Sequence, residues 1–213
     1  MKRTIKAILI GAVALILLLP NSSLAKGITG GLKIGMNSAD LHGETMKELE
    51  EELGEELKSK WGLCAGGFIR FNISETFAIQ PEVLYTMKGA KFEETILGET
   101  LMKFEMNLSY FEIPVLIKLM IPTAGGIKPS LFAGPALAIK LSGKTKLEYA
   151  GETEELDIEK MKDTDFGLII GAGVDFGRLT VDLRYVLGLT AIEEEAEFET
   201  KNGVISLLVG YSF

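Results

Sequence analysis

Eight segments of this chain alternate between apolar side chains on one side and glycine, small polar or charged side chains on the other. A period of two residues is that of a β-strand, so the pattern leaves little of the chain for helices. Strands that alternate this regularly are confined to sheets with two chemically different faces. The segments cover residues 28–37, 61–72, 79–88, 111–119, 130–140, 167–176, 179–190 and 205–213.

The chemistry of the two faces indicates where each one points. The apolar face is almost purely aliphatic and aromatic, as is typical of a surface in contact with lipid. The other face is rich in glycine and alanine, which suits the crowded interior of a narrow barrel. Every backbone group in lipid must be paired, so such a sheet closes on itself. The pattern predicts an all-β fold, an eight-stranded antiparallel up-and-down transmembrane β-barrel.

The links between the segments alternate in length, which predicts their sides of the membrane. Short links lie near residues 73–76, 121–128 and 177–178, and long links near residues 39–60, 92–103, 142–163 and 191–202. In outer-membrane barrels the turns on the periplasmic side are short and the outer loops are longer. Both mature termini are then periplasmic. The fourth strand is less regular above Tyr110, where the parity changes at Phe104, Met106 and Leu108, so we expect a bulge or an extension beyond the membrane.

The N-terminus has the layout of an export signal. Lys2, Arg3 and Lys6 precede an apolar run over residues 7–19, and Ser23-Leu24-Ala25 offers a cleavage site. An uncleaved anchor is the alternative, but the run is shorter than the roughly 20 residues of a membrane-spanning helix. We therefore expect a signal peptide over residues 1–25, recognised by the secretion translocon, and a barrel domain over residues 26–213.

Charge and residue counts exclude several function classes. The chain holds 22 basic and 30 acidic residues, a net charge of −8, and removal of the three basic residues of the signal gives −11. Such a chain is a poor ligand for nucleic acid. One cysteine and one histidine cannot form a Cys/His zinc site, so we expect no metal and no cofactor. The long links are acidic, and Met46, Leu49, Leu53 and Leu57 predict a short amphipathic helix over Thr45–Lys60.

Charged residues on the glycine-rich face are the candidate site. Buried charges must be paired, so we interpret this set as a structural ionic network in the lumen. A proton or ion path, or paired carboxylates in acid–base catalysis, is the alternative. A lumen filled in this way argues against a general diffusion porin. The set is Arg70, Glu82, Glu112, Lys118, Asp175, Asp182 and Arg184.

Two weaker motifs have a structural explanation beside the functional one. Residues 171–177 imitate a dinucleotide-binding fingerprint, but the glycines lie inside a strand and no helix follows. His42 lies in the first long link near Asp40 and Glu44, and Ser38 could act as its partner in a lipid-modifying enzyme at the outer rim. A solvated loop histidine explains it more simply. Cys64 faces inward as a buried thiol.

Several strings resemble a known family. The C-terminal Tyr211 and Phe213, at alternate positions, resemble the signal that the barrel assembly machinery reads. The strings at residues 79–85 (IQPEVLY), 110–118 (YFEIPVLIK), 133–135, 171–174 and 183–188 resemble strands of PorT-like outer-membrane barrel proteins. The resemblance implies location and architecture and no reaction.

Together these features predict an integral protein of the outer membrane with a structural or interaction role and no catalytic residues. Its surroundings would be outer-membrane lipid and lipopolysaccharide, and its extracellular partner is not defined by the sequence. Two alternatives stay open, an outer-rim lipid-modifying enzyme and a soluble lipocalin-like periplasmic binder. The second requires the apolar face to point inward.

Overall fold

Alternating residues build ten antiparallel strands in the computed structural model, which describes residues 27–43, 58–96, 99–149, 152–158, 162–190 and 200–213. The signal peptide expected over residues 1–25 lies outside these ranges. The strands are β1 (Ile28–Gly43), β2 (Lys58–Asn72), β3 (Phe77–Lys88), β4 (Ala90–Ile96), β5 (Glu99–Met120), β6 (Ile127–Tyr149), β7 (Glu152–Asp157), β8 (Thr164–Phe176), β9 (Leu179–Gly188) and β10 (Thr200–Ser212).

Eight of these strands form a closed ring. Each pairs with its sequence neighbours in the order β1, β2, β3, β5, β6, β8, β9 and β10, and β10 returns to β1. The closing register pairs Ile34 with Val209, and the C-terminal strand is thereby paired on both sides. Closure removes every open edge at this level. The predicted eight-stranded up-and-down barrel is confirmed.

The other two strands extend the ring at one end. β4 continues β3 after a break at Gly89, whose φ of 144° is a conformation that only glycine adopts readily. β7 pairs with residues 144–149 of β6, beyond the part of β6 that pairs with β8. The links between β2 and β3, β5 and β6, and β8 and β9 are short turns at the opposite end. We call these the projecting end and the turn end.

The apolar face of the ring points outward, as predicted. Leu183 in the middle of β9 is 55% exposed, and Ile34 on β1 and Leu207 on β10 are exposed to a similar extent. A water-soluble fold does not leave a continuous band of this kind uncovered. The lipocalin-like alternative, which needs these side chains inside, is wrong.

Beyond the band, four strand segments form what we call the projecting sheet: β4, residues 99–109 of β5, residues 142–149 of β6, and β7. The register shifts between Ser109 and Tyr110, where Leu141 of β6 is the extra residue. The fourth strand of the ring therefore has the extension that its sequence suggested, whereas the extra residue of the bulge lies on its neighbour β6. The long links expected at residues 92–103 and 142–163 are largely strand, which corrects the prediction of loops there.

The prediction of a helix over Thr45–Lys60 is wrong for the last three residues of that range. Lys58 opens β2 and pairs with Lys91, so residues 58–60 are strand. The rest of that segment lies outside the described residues. Within the described part of the chain, no helix has the length and apolar character needed to cross a membrane.

Candidate functional site

All seven charged residues predicted for the lumen point into the barrel and are buried. Burial removes a charge from water at a cost of several kcal/mol, so each one requires a partner. The partners follow from the parity of the strands, because alternate residues of every strand face the same narrow space. The structure brings six of the seven together and separates Glu112 from them.

Glu82 on β3 is the first centre of the lumen network. Its Oε1 accepts a hydrogen bond from Lys33 Nζ at 2.6 Å and one from Gln80 Nε2 at 2.7 Å, and its Oε2 accepts one from Arg184 Nη1 at 2.7 Å. Lys33 also donates to Asp182 Oδ2 at 2.5 Å. A carboxylate with donors on both oxygens is held in one position.

Asp175 on β8 is the second centre. Its Oδ2 accepts from Arg70 Nη1 at 2.9 Å, and its Oδ1 accepts from Thr180 Oγ1 at 2.7 Å and from Lys118 Nζ at 3.4 Å. Arg70 Nε donates to Gln80 Oε1 at 2.7 Å, which joins this centre to the first. Both oxygens of Asp175 therefore accept hydrogen bonds from donors on other strands.

Two of these ion pairs cross the full width of the barrel. In the order of the ring, β3 and β9 are diametrically opposite, and so are β2 and β8. Arg184 on β9 nevertheless reaches Glu82 on β3, and Arg70 on β2 reaches Asp175 on β8. Side chains that bond directly across the lumen occupy it, as expected for a ring of eight strands.

An apolar layer follows the network toward the projecting end. Leu84 comes after Glu82 along the inner face of β3, and Leu116 separates Lys118 from Glu112 on β5. Ile169, Val186 and Leu208 add to this layer from β8, β9 and β10. These apolar side chains lie between the network and the polar groups nearer the projecting end, the first of which are Asn37 and Thr86, whose side chains are hydrogen-bonded at 2.6 Å.

Glu112 lies beyond that layer in a separate pair. Its Oε2 is 2.8 Å from Lys88 Nζ, and the Lys88 ammonium is 5.2 Å from the centroid of the Tyr110 ring. Asp165 lies on the same side of the apolar layer, toward the projecting end, and accepts hydrogen bonds from Thr190 and Asn202. The expectation that Glu112 belongs to one common network is therefore corrected.

Lys60 fastens the projecting sheet to the ring. Its ammonium donates to Glu105 Oε1 at 2.5 Å and to Asn107 Oδ1, both on β5. The aliphatic chain of Lys60 passes Gly89, where an added Cβ would lie 3.4 Å from Lys60 Cδ. The hydrogen bond from Lys60 holds the pKa of Glu105 below its usual value.

Two phenylalanine rings pack against two glycines of the inner face, Gly31 and Gly171. Lys33 Nζ lies 5.0 Å from the centroid of the Phe68 ring, and the Arg184 guanidinium lies 5.5 Å from that of Phe132. A Cβ at Gly31 would lie 2.6 Å from the Phe68 ring, and one at Gly171 would lie 2.5 Å from Phe132. The apparent dinucleotide motif therefore makes room for ring packing inside a strand.

Gly171→Ala tests this packing. The new Cβ would also lie 2.6 Å from the Leu183 carbonyl oxygen, so we expect the free energy of unfolding to fall by about 1–3 kcal/mol, as in other overpacked cores. Urea titration of the protein refolded in detergent measures the loss. Phe132→Leu in the same chain should recover part of it. Gly125→Ala is the matched control, since nothing lies within 4 Å of that position, and an equal loss there would contradict the packing explanation.

The remaining candidates are not brought into one site. Ser38 and His42 lie on the same strand four residues apart, which places their Cα atoms about 13 Å apart along an extended chain. His42 pairs through its backbone with Lys201. Cys64 is buried. Among the described residues, no group of three or more histidine, cysteine or acidic side chains is arranged to hold a metal ion.

Sequence reasoning missed several members of the lumen. Lys33, Gln80 and Thr180 bond within the network, and Lys88 and Asp165 lie beyond the apolar layer. Parity placed Lys33 and Lys88 on the inner face, but neither was included in the set. A charge count would have pointed to a missing cation such as Lys33, because the predicted set holds four carboxylates and only three cations.

A closed ring with a lipid-facing outer surface and a filled lumen defines the class of integral β-barrel membrane proteins. The sequence profile of the outer membrane protein beta-barrel domain matches residues 20–194. The chain belongs to this family, and it is a protein of the Gram-negative outer membrane in contact with its lipid. No curated protein matches the chain in sequence.

Several solved structures are similar to this chain. Neisserial surface protein A (NspA) has a TM-score of 0.48 and 15% identity, over 88% of this chain and 100% of that one. Ail, the attachment invasion locus protein of Yersinia pestis, has a TM-score of 0.43 and 17% identity, over 89% and 100%. OprG from Pseudomonas aeruginosa has a TM-score of 0.40 and 12% identity, over 87% and 94%.

Proposed function

We propose that this protein is a non-conducting, non-enzymatic outer-membrane barrel with a structural or interaction role, which presents the projecting sheet outside the cell. The observation that carries the proposal is the pair of ion pairs across the lumen, Arg184 to Glu82 and Arg70 to Asp175. The apolar layer next to them fills the adjoining part of the lumen toward the projecting end. Such an interior rigidifies the ring, and the part left free for contacts is the sheet beyond the membrane.

The same proposal includes a route to the membrane. The chain is exported by the secretion translocon through a signal peptide over residues 1–25, which leaves a barrel domain over residues 26–213. Tyr211 and Phe213 serve the barrel assembly machinery as its C-terminal signal. Both side chains are about half exposed on the outer surface of β10 or at its end, with ring centroids 6.3 Å apart. This exposure supports their recognition before the barrel closes.

The orientation follows from the two ends of the barrel. The turn end, with both termini, faces the periplasm, and the projecting end faces outward into lipopolysaccharide. The finer assignment to PorT-like proteins stays a prediction from the strings in β3, β5 and their neighbours. It adds no activity to the proposal.

Single-channel recording tests the proposal. We expect the refolded protein to insert into a planar bilayer without producing stepwise conductance, because the ion pairs across the lumen and the apolar side chains next to them fill it. A general porin, refolded and inserted in the same way, controls for the preparation. Inserted protein is quantified by its resistance to added protease. Regular current steps whose number rises with the inserted protein would contradict a filled lumen.

A further inference from the structure

The last strand of the projecting sheet has a neighbour on one side only among the described residues. β7 pairs with β6 and ends the order of the sheet, and all six of its residues are exposed. A strand in this position offers a row of backbone donors and acceptors to another chain. Proteins commonly protect such edges with proline or charged side chains, and β7 has no proline and carries charges of one sign only, all of them carboxylates.

The register identifies the residues that face the open side. Ile158 N–H donates to the Gly143 carbonyl oxygen on β6 at 3.0 Å. Backbone groups of an antiparallel strand alternate in direction, so Leu156 also faces β6, whereas Thr153, Glu155 and Asp157 face away. The side chains of these three residues share one face of the sheet.

Charges on that face alternate in sign from strand to strand. One cross-strand row runs Lys91, Glu105, Lys146 and Glu155. The next row pairs Lys144 with Asp157, and Lys144 also forms an ion pair with Glu155. Opposite charges on paired strands stabilise a sheet, and like charges directly opposite destabilise it. Both rows end at β7 on a negative charge.

We propose that β7 is a strand-addition site for an extended segment of another protein that carries basic residues at alternate positions. Its basic residues lie opposite Glu155 and Asp157 and continue the alternation of charge. An apolar residue between them lies on the other face beside Leu156, which is 51% exposed. The inference rests on the proposed function, because it requires the projecting sheet to be outside the cell.

Charge also decides against two other occupants. If β7 of a second copy paired with this strand, the four carboxylates of one β7 would face the four carboxylates of the other. The remaining long segments of this chain, residues 44–57 and 191–199, are themselves rich in glutamate. Like charges of this density repel, so the complementary strand comes from a basic partner.

A labelled peptide tests the site on the full-length protein in detergent. The probe is fluorescein-labelled Gly-Lys-Val-Lys-Val-Lys-Gly, with binding measured by fluorescence anisotropy. We expect Glu155→Gln with Asp157→Asn to weaken binding roughly fivefold, from the loss of two cross-strand pairs. The matched control is Glu152→Gln with Glu154→Gln, which removes the same charge from the other face and should change binding less than twofold.

A second variant separates strand addition from general attraction. Thr153→Pro removes an outward N–H without a change of charge, and proline is tolerated at a sheet edge. We expect it to weaken binding, and a peptide with proline in place of the central valines should not bind. Absence of binding to the unaltered protein, or equal weakening by the two charge variants, would overturn the inference. The gel shift on boiling checks that each variant is folded. A conducting barrel would overturn the proposed function, whereas a silent barrel that fails to bind the probe overturns this inference alone.

Discussion

Replacement of Glu82 by glutamine is expected to lower the free energy of unfolding by about 3–5 kcal/mol, the range found when one partner of a buried ion pair is removed. Glu82 neutralises Lys33 and Arg184 at once, and both are buried. Glutamine keeps the size of the side chain and removes its charge. The two buried cations then keep Asp182 as the one carboxylate that both of them contact.

Urea titration of refolded protein measures this loss. Glu155→Gln is the matched control, because Glu155 also pairs with a lysine but is about half exposed, and an exposed pair contributes little to stability. Lys33→Met combined with Glu82→Gln should recover part of the stability by removing one uncompensated charge. A loss below about 1 kcal/mol for Glu82→Gln would show that the lumen is wet and the network weak.

Arginine at position 183 is expected to destabilise the inserted barrel by about 2–4 kcal/mol, the cost of an arginine on the lipid face near the bilayer centre. Leu183 lies at the middle of the outward face of β9 and is 55% exposed. If Leu183 were exposed to water instead of lipid, the same substitution would change the stability very little. The size of the effect therefore reports which solvent surrounds the band.

Leu156→Arg provides the comparison within the same chain. Leu156 is 51% exposed on the projecting sheet, and we expect a change within about 0.5 kcal/mol there, as for other surface positions. Both variants are measured after refolding into lipid vesicles. Equal effects at positions 156 and 183 would mean that the two sites share one environment, and the assigned membrane band would be wrong.

Period-two alternation was sufficient to predict the ring, because every strand inside the bilayer separates lipid from a narrow interior. The same rule failed beyond the membrane. On β5 the outward residues are apolar at Val115, Ile117 and Leu119, but Leu108 and Tyr110 are buried on the inner side. Water replaces lipid outside the membrane, so the apolar side of the strand changes. A scan for one constant apolar side therefore interprets the projecting strands as loops.

The sequence predicted which charged residues face the lumen, but it did not predict which of them pair with each other. The odd or even position of a residue along its strand gives the side of the sheet on which Arg70 or Asp175 lies. Both residues are buried on the inner side. The up-and-down order gives the strand opposite, but not which of its residues lies at the same level, which depends on how far neighbouring strands are staggered around the ring. The residues that meet in the crossings from β2 to β8 and from β3 to β9 follow from that stagger. No local pattern in the sequence encodes it.

Fractionation followed by gel mobility tests the closed, membrane-embedded barrel most directly. We predict that the protein is recovered with outer membranes, requires detergent for extraction, and migrates differently on a gel before and after boiling, because the closed ring resists the detergent of the gel until it is heated. Recovery in buffer without detergent, with one mobility before and after boiling, would contradict the account.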